Sequence, residues 1–119
     1  MQMGVEMPIT LHDREQAFEA KFVHDEEFRF LVGARRDKLF ARWAAAKLGL
    51  SDDARDELVN VVLTIRDRPG HDQAVLKVIA DRLVAGGAKM PESELAEALQ
   101  LCGQQARQQL DESHPGHSG

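Results

Sequence analysis

The chain has 119 residues, a formal net charge of −5 and a charged fraction of 29%. This length fits one compact domain, and the acidic balance argues against non-specific nucleic-acid binding, which requires a basic surface. With five phenylalanines, one tryptophan and no tyrosine, the chain offers few aromatic rings for stacking on bases. The single cysteine, Cys102, lies among apolar neighbours, so we predict a buried thiol in a reducing compartment.

Neither end of the chain carries a recognisable targeting or membrane segment. Residues 1–10 lack the basic start and apolar run of a signal peptide, and no stretch reaches the ~20 apolar residues of a membrane span. We therefore expect a cytoplasmic protein that does not insert directly into a membrane. Residues 113–119 are short and polar, so we expect a disordered tail there and a flexible N-terminal extension over residues 1–12.

Two helices are predicted in the first half of the chain. The first runs from Asp13, which can cap its start, to Leu48, and Gly49 ends it. The second opens at Ser51, a good N-cap followed by two aspartates that favour the positive end of the helix dipole. Its apolar pattern continues to Ile65, and Pro69-Gly70 ends it.

Two more helices are predicted in the second half. The third spans residues 72–85, and Gly86-Gly87 supplies its C-terminal cap. The fourth begins near Pro91 and carries apolar residues at helical spacing up to Leu110. Four amphipathic segments with short polar connections, and no convincing strand, predict an all-α four-helix bundle over residues 13–112.

The first helix is predicted to be longer than its neighbours. From Asp13 to Leu48 it would extend about 54 Å, against about 20 to 33 Å for the others, so we expect its first part to protrude or to be flexible. Its apolar stripe contains Phe18, Phe22, Phe28, Val32, Leu39, Phe40 and Trp43. The last three are expected in the core, whereas Phe18 and Phe22 lie on the overhang and are candidates for partner binding.

Charge is divided along this helix. Residues 13–27 contain six acids and two bases, whereas residues 29–47 contain six bases and one acid. Acids towards the N-terminus and bases towards the C-terminus stabilise the helix dipole. Few of these charges are opposite in sign at a spacing of four, so the pattern reflects the dipole or a partner more than local ion pairs.

The stretch His24-Asp25-Glu26-Glu27 has the residue types of a metal or acid–base site. On a helix, however, only His24 and Glu27 have ligand spacing, and the next histidine, His12, lies about 18 Å away along the axis. The sequence has no glycine-rich phosphate loop before a helix, no cysteine pair and no recognisable catalytic triad. We therefore predict no catalytic residue, no metal and no cofactor, and a protein that is not an enzyme.

A turn in the second half of the chain gathers three basic residues. Arg66, Arg68 and His71 surround it and have the charge to attract an anion. The prediction here is a solvated loop.

A specific family resemblance covers residues 12–50. The stretches DREQAFEAKFVHDEEFRF and ARRDKLFARWAAAKLGL resemble the ATPase inhibitor subunit zeta of alphaproteobacterial F-type ATP synthases. The resemblance implies a four-helix bundle whose N-terminal segment inserts at a catalytic subunit interface of the synthase head, near the rotor, and blocks ATP hydrolysis. It implies contacts with the alpha, beta and gamma subunits, and a cytoplasmic location peripheral to the inner membrane.

The resemblance also indicates the inhibitory segment, residues 13–22. The matching positions are Asp13, Arg14, Glu15, Ala17, Phe18, Glu19, Ala20, Lys21 and Phe22. Within this set, Phe18 and Phe22 are expected to be buried anchors at the interface. Charge complementarity at Arg14, Glu19 and Lys21 is expected to set the register.

Two other functions remain open from the residues alone. One is a helical module that binds a nucleotide or another small ligand; its cationic pocket would need Arg35, Arg36 and Lys38, the densest basic cluster in the chain. The other is a homo-oligomerising helical protein, in which Phe18 and Phe22 pack against a second copy.

Overall fold

The computed structural model describes the backbone of residues 11–113 and the side chains of residues 25–112. Four helices account for most of this region: α1 (Leu11–Leu48), α2 (Asp52–Leu63), α3 (His71–Ala85) and α4 (Glu92–Ser113). No strand occurs within the described backbone. The predicted all-α class with four helices is therefore confirmed.

The chain divides into two compact units, residues 1–30 and residues 31–119. In the first unit the described side chains belong to α1, where Phe28 is buried and Phe30 is exposed. The second unit contains the rest of α1 and the other three helices. The predicted protrusion or flexibility of the first part of α1 stays a prediction.

One hydrophobic core lies in the second unit, and all four helices contribute to it. Leu39 and Trp43, at its margin, are partly buried, and Phe40 is fully buried, so the expectation for these three residues is confirmed. Burying a large apolar side chain contributes roughly 1.5–3 kcal/mol. The buried members of the core are Phe40, Ala41, Ala44, Ala45, Leu58, Val59, Val62, Val75, Ile79, Leu83, Leu95, Leu99 and Cys102.

Glycines end α1 and α3 in the same way. Gly49 has φ 65°, and its N–H and that of the next residue bond back to carbonyls of the last turn of α1. Gly87, at φ 77°, does the same after α3. Both ends are Schellman motifs, which require a left-handed residue that glycine adopts without steric cost.

The N-terminus of α2 is capped as predicted, but the helix ends earlier than expected. The Ser51 hydroxyl accepts a hydrogen bond from the Ala54 N–H at 3.2 Å. The last helical residue is Leu63, and Thr64 forms the C-cap. The Thr64 hydroxyl donates to the Val61 carbonyl at 2.6 Å, which satisfies a terminal carbonyl by a side chain and replaces continuation of the helix.

Among the described residues, no helix is both long enough and apolar enough to cross a bilayer.

Candidate functional site

The predicted inhibitory segment lies within α1. Its backbone is helical, and the helix begins at Leu11, two positions before the predicted start. The side chains of residues 13–22 lie outside the described side chains. The partner-binding roles of Asp13, Arg14, Glu15, Ala17, Phe18, Glu19, Ala20, Lys21 and Phe22 therefore stay predictions.

The acidic stretch that follows is a charged helix surface. Asp25, Glu26 and Glu27 are exposed, and Glu26 forms an ion pair with Arg29 at 2.9 Å. The side chain of His24 lies outside the described residues. Within the described part of the chain, no three histidine, cysteine or acidic side chains are grouped so that they could hold a metal ion.

A polar network joins α1 to α3. The Asp37 side chain is only 4% exposed and accepts hydrogen bonds at both oxygens. Its Oδ1 accepts from the Arg36 guanidinium, at 2.9 Å from Nε, and its Oδ2 lies 2.7 Å from Nε2 of His71. Arg36 also donates from Nη2 to Asp72 at 2.8 Å. One guanidinium, one imidazole and two carboxylates thus form one connected cluster at the start of α3.

These contacts shift the pKa values of Arg36, His71 and Asp72. The pKa of Asp72 is lowered, mainly by its hydrogen bond from Arg36. Burial disfavours the charged form of Arg36, but its bonds to Asp72 and Asp37 outweigh this and raise its pKa. Burial likewise lowers the pKa of His71, and the hydrogen bonds to Asp37 and to the Arg66 carbonyl oxygen raise it by more.

The solvated-loop prediction is wrong for His71. This residue is the first of α3, and its side chain is only 15% exposed. Both of its ring nitrogens lie at hydrogen-bonding distance from oxygen atoms of other residues, Asp37 and Arg66. The turn therefore does not present this imidazole to solvent or to an anion, because folding engages it with acceptors of the protein.

The basic residues proposed for a ligand pocket are largely engaged within the protein. Arg35 donates from Nη1 to Oε1 of Gln109 on α4 at 2.8 Å. Arg36 is held by Asp37 and Asp72. Its side chain packs over Gly103 of α4, so that a Cβ added there would lie 3.5 Å from the Arg36 Cδ. Two of the three cations required by the ligand-binding alternative thus hold α1 to α3 and α4.

Two open surface cavities accompany α2. The first, of about 440 Å³, has six lining residues, three of which are acidic: Asp53, Asp56, Glu57, Asn60, Val61 and Thr64. Its charge opposes binding of a phosphate. The second, of about 370 Å³, lies between Arg42 and Arg55, and Arg55 already forms ion pairs with the carboxylates of Asp52 and Asp56.

The thiol of Cys102 behaves as predicted from its apolar neighbours. It is free and buried in the core. Burial raises its pKa, and the positive charge of Arg36 opposes that shift. A thiol with a raised pKa is a poor nucleophile at neutral pH, so Cys102 serves as a core side chain.

Sequence reasoning missed the Asp37–His71 pair. A signal for it exists, since Asp37 is the one acid within the basic half of α1. It also lies three and four positions before Phe40 and Ala41, which places it on the buried face. An acid on a buried face needs a partner, but helix periodicity alone does not say which residue from another helix supplies it.

Comparison with known proteins places most of the chain in one family. The family model described as ATPase inhibitor subunit zeta matches residues 8–109. This range includes the predicted inhibitory segment and nearly all of the four helices. Neither the curated proteins nor the solved structures gave a match.

Proposed function

Because the chain belongs to the ATPase inhibitor subunit zeta family, we propose that it is a regulatory inhibitor of ATP hydrolysis by the F-type ATP synthase and not an enzyme itself. The observation that carries this proposal is the extent of the family match, residues 8–109, which takes in both the segment at residues 13–22 and the bundle. The partner is the catalytic head of the synthase, and the inhibitor is cytoplasmic and peripheral to the inner membrane through that complex.

Inhibition in this proposal is mechanical. The segment at residues 13–22 inserts at a catalytic subunit interface near the rotor and contacts the alpha, beta and gamma subunits. A helix wedged there stops the cycle of conformations that hydrolysis requires, so the inhibitor needs no reacting groups. Phe18 and Phe22 act as apolar anchors, and the charged positions between them set the register.

The bundle supports the wedge through the other end of the same helix. α1 is continuous from Leu11 to Leu48, and its C-terminal part contributes Phe40, Ala41, Ala44 and Ala45 to the core. A short isolated helix is only marginally stable in water, because nucleation is unfavourable. In α1 the core fixes the C-terminal turns, so the unfavourable nucleation step is already complete there. Helical structure can then extend from those turns towards the N-terminus.

The ligand-binding alternative receives less support. Its pocket would require Arg35 and Arg36 to face a ligand, yet both guanidinium groups bond to side chains of other helices. Freeing Arg36 would leave Asp37, a buried carboxylate, without its guanidinium partner. That loss is costly in a weakly solvated site.

The test is ATP hydrolysis by the catalytic head of the cognate ATP synthase, measured with increasing full-length chain. A variant lacking residues 1–22 is measured in parallel, after circular dichroism and urea unfolding have shown that its helices and core are intact. We expect the full chain to inhibit and the shortened chain not to inhibit.

Other outcomes have defined meanings. Inhibition by both chains would move the inhibitory contact into the bundle and contradict the wedge. Absence of inhibition by either would contradict the proposed function, and a nucleotide titration or a measurement of mass against concentration would then test the two alternatives.

A further inference from the structure

The His71 side chain lies between two hydrogen-bond acceptors. Its Nδ1 is 2.8 Å from the carbonyl oxygen of Arg66, and its Nε2 is 2.7 Å from Oδ2 of Asp37. A carbonyl oxygen never donates, and an ionised carboxylate accepts only. A neutral imidazole carries one N–H and can make one of these bonds, whereas the imidazolium carries two and makes both.

The surrounding charges favour the imidazolium. On α1, Asp37 contacts His71 through one carboxylate oxygen and Arg36 through the other. On α3, Asp72 follows His71 and bonds to Arg36. With His71 protonated, two positive and two negative side chains balance. Without that proton the cluster keeps one uncompensated negative charge, and it does so where Asp37 is nearly inaccessible to water.

Three effects oppose the charge and are outweighed: burial, the positive end of the α3 dipole, and repulsion from Arg36. The positive end of the α3 dipole disfavours a cation at the first residue of the helix, but Asp72 in the same turn offsets it. From the α4 side, Cys102 is an uncharged thiol near Arg36, since burial raises its pKa. The guanidinium of Arg36 lowers the pKa of His71, yet burial and this repulsion together are exceeded by the bonds to Asp37 and Arg66, so the pKa of His71 is raised.

We infer that His71 is a proton-dependent latch, which in its charged form fastens α1 to the start of α3 and to the connection after α2. Deprotonation removes one of its two hydrogen bonds, and it removes the positive charge of His71 from beside the Asp37 carboxylate. The latch lies wholly within residues 31–119 and does not depend on what the inhibitory segment binds. This protein therefore carries a pH-sensitive contact in its bundle.

The sign of the effect follows from linkage. A raised pKa in the folded state means that folding favours the protonated form. The stabilisation is fully present below the ordinary histidine pKa of about 6.5 and disappears as the pH rises through the higher folded value. The bundle should thus be more stable in weak acid than in weak alkali, as far as His71 is concerned.

The first test is an NMR titration of the full chain with ¹⁵N-labelled histidine, following the ring nitrogens of all five histidines. We expect the midpoint at which His71 loses its second ring proton to lie above the ordinary histidine value of ~6.5. The other four histidines are internal references, and Asp37→Asn should lower the His71 midpoint. A His71 midpoint at or below the ordinary value, or a ring with one unprotonated nitrogen at about pH 6, overturns the latch.

The second test is urea unfolding at about pH 6 and about pH 9, on either side of the expected transition. The urea midpoint of the wild-type chain should be lower at the higher pH than at the lower pH. The matched control His114→Gln, in the C-terminal tail, should show the same decrease. His71→Gln cannot titrate and should show a clearly smaller fall. An equal fall in His71→Gln contradicts the inference, and if that variant does not fold, the titration of the wild-type chain decides.

Discussion

The side chain of Leu48, at the end of α1, fills the space in which a Cβ on Gly86 would lie. Gly86 follows the last residue of α3 and has φ −92°, which any residue adopts. The close approach of the Leu48 side chain therefore leaves no room for a Cβ here unless the end of that side chain moves, whereas the backbone conformation of Gly86 suits any residue. The ends of α1 and α3 meet at this contact, and the Schellman motifs of Gly49 and Gly87 lie directly after it.

Gly86→Ala should destabilise the bundle because the new methyl group displaces the end of the Leu48 side chain. We expect a loss of at most about 1 kcal/mol, the low end for an overfilled contact, because the end of the Leu48 side chain can move aside. Gly33→Ala is the matched control, since nothing lies within 4 Å of its Cβ position, and replacing a glycine inside a helix gains up to about 1 kcal/mol. Urea unfolding measures both, and equal effects would contradict the steric explanation.

Phe40→Ala should cause the largest loss of stability of any phenylalanine substitution outside the inhibitory segment. Phe40 is fully buried, and its ring stacks on that of Trp43 with 5.6 Å between centroids. Truncation of a buried phenylalanine costs about 3–5 kcal/mol, from lost burial and the cavity left behind. Phe30→Ala is the control, because Phe30 is 58% exposed and should change stability by less than about 0.5 kcal/mol. Chemical denaturation distinguishes the two, and a similar cost for both would place Phe40 outside the core.

The double variant Phe18→Ala/Phe22→Ala should weaken inhibition and leave the bundle intact. Loss of about 2 kcal/mol of interface energy corresponds to an inhibitory concentration about 30-fold higher. The hydrolysis assay measures this, and urea unfolding should give the wild-type midpoint. Phe30→Ala removes a phenylalanine from the same helix outside the segment and should inhibit normally. Unchanged inhibition by the double variant would show that the anchors lie elsewhere.

The helices were predictable from the sequence because each depends on local signals. Apolar spacing, the Ser51 cap and the glycines after α1 and α3 act within a few residues, and the structure confirms them. The end of α2 was placed too late because the pattern includes Ile65, whereas the Thr64 hydroxyl closes the helix first. Periodicity reports which face is apolar, and it does not report how a terminal carbonyl is satisfied.

The polar contacts between helices were not predictable in the same way. Asp37 and His71 lie 34 positions apart, and Arg35 and Gln109 lie 74 apart. Which residues meet across helices depends on the rotation and offset of packed helices, and neither appears in a single sequence. The candidate inhibitory segment was found by the opposite route, from a dense run of specific residues.

The buried carboxylate of Asp37 also fixes the register of α1 against α3. Its neighbours in sequence, Arg36 and Lys38, are both cations. A shift of α1 by one position would bring one of them towards the site that now accepts the His71 proton, so that like charges would meet in a poorly solvated place. The single acid among bases thus adds an electrostatic cost to such a shift, beyond the packing lost when the apolar stripe of α1 turns by about 100°.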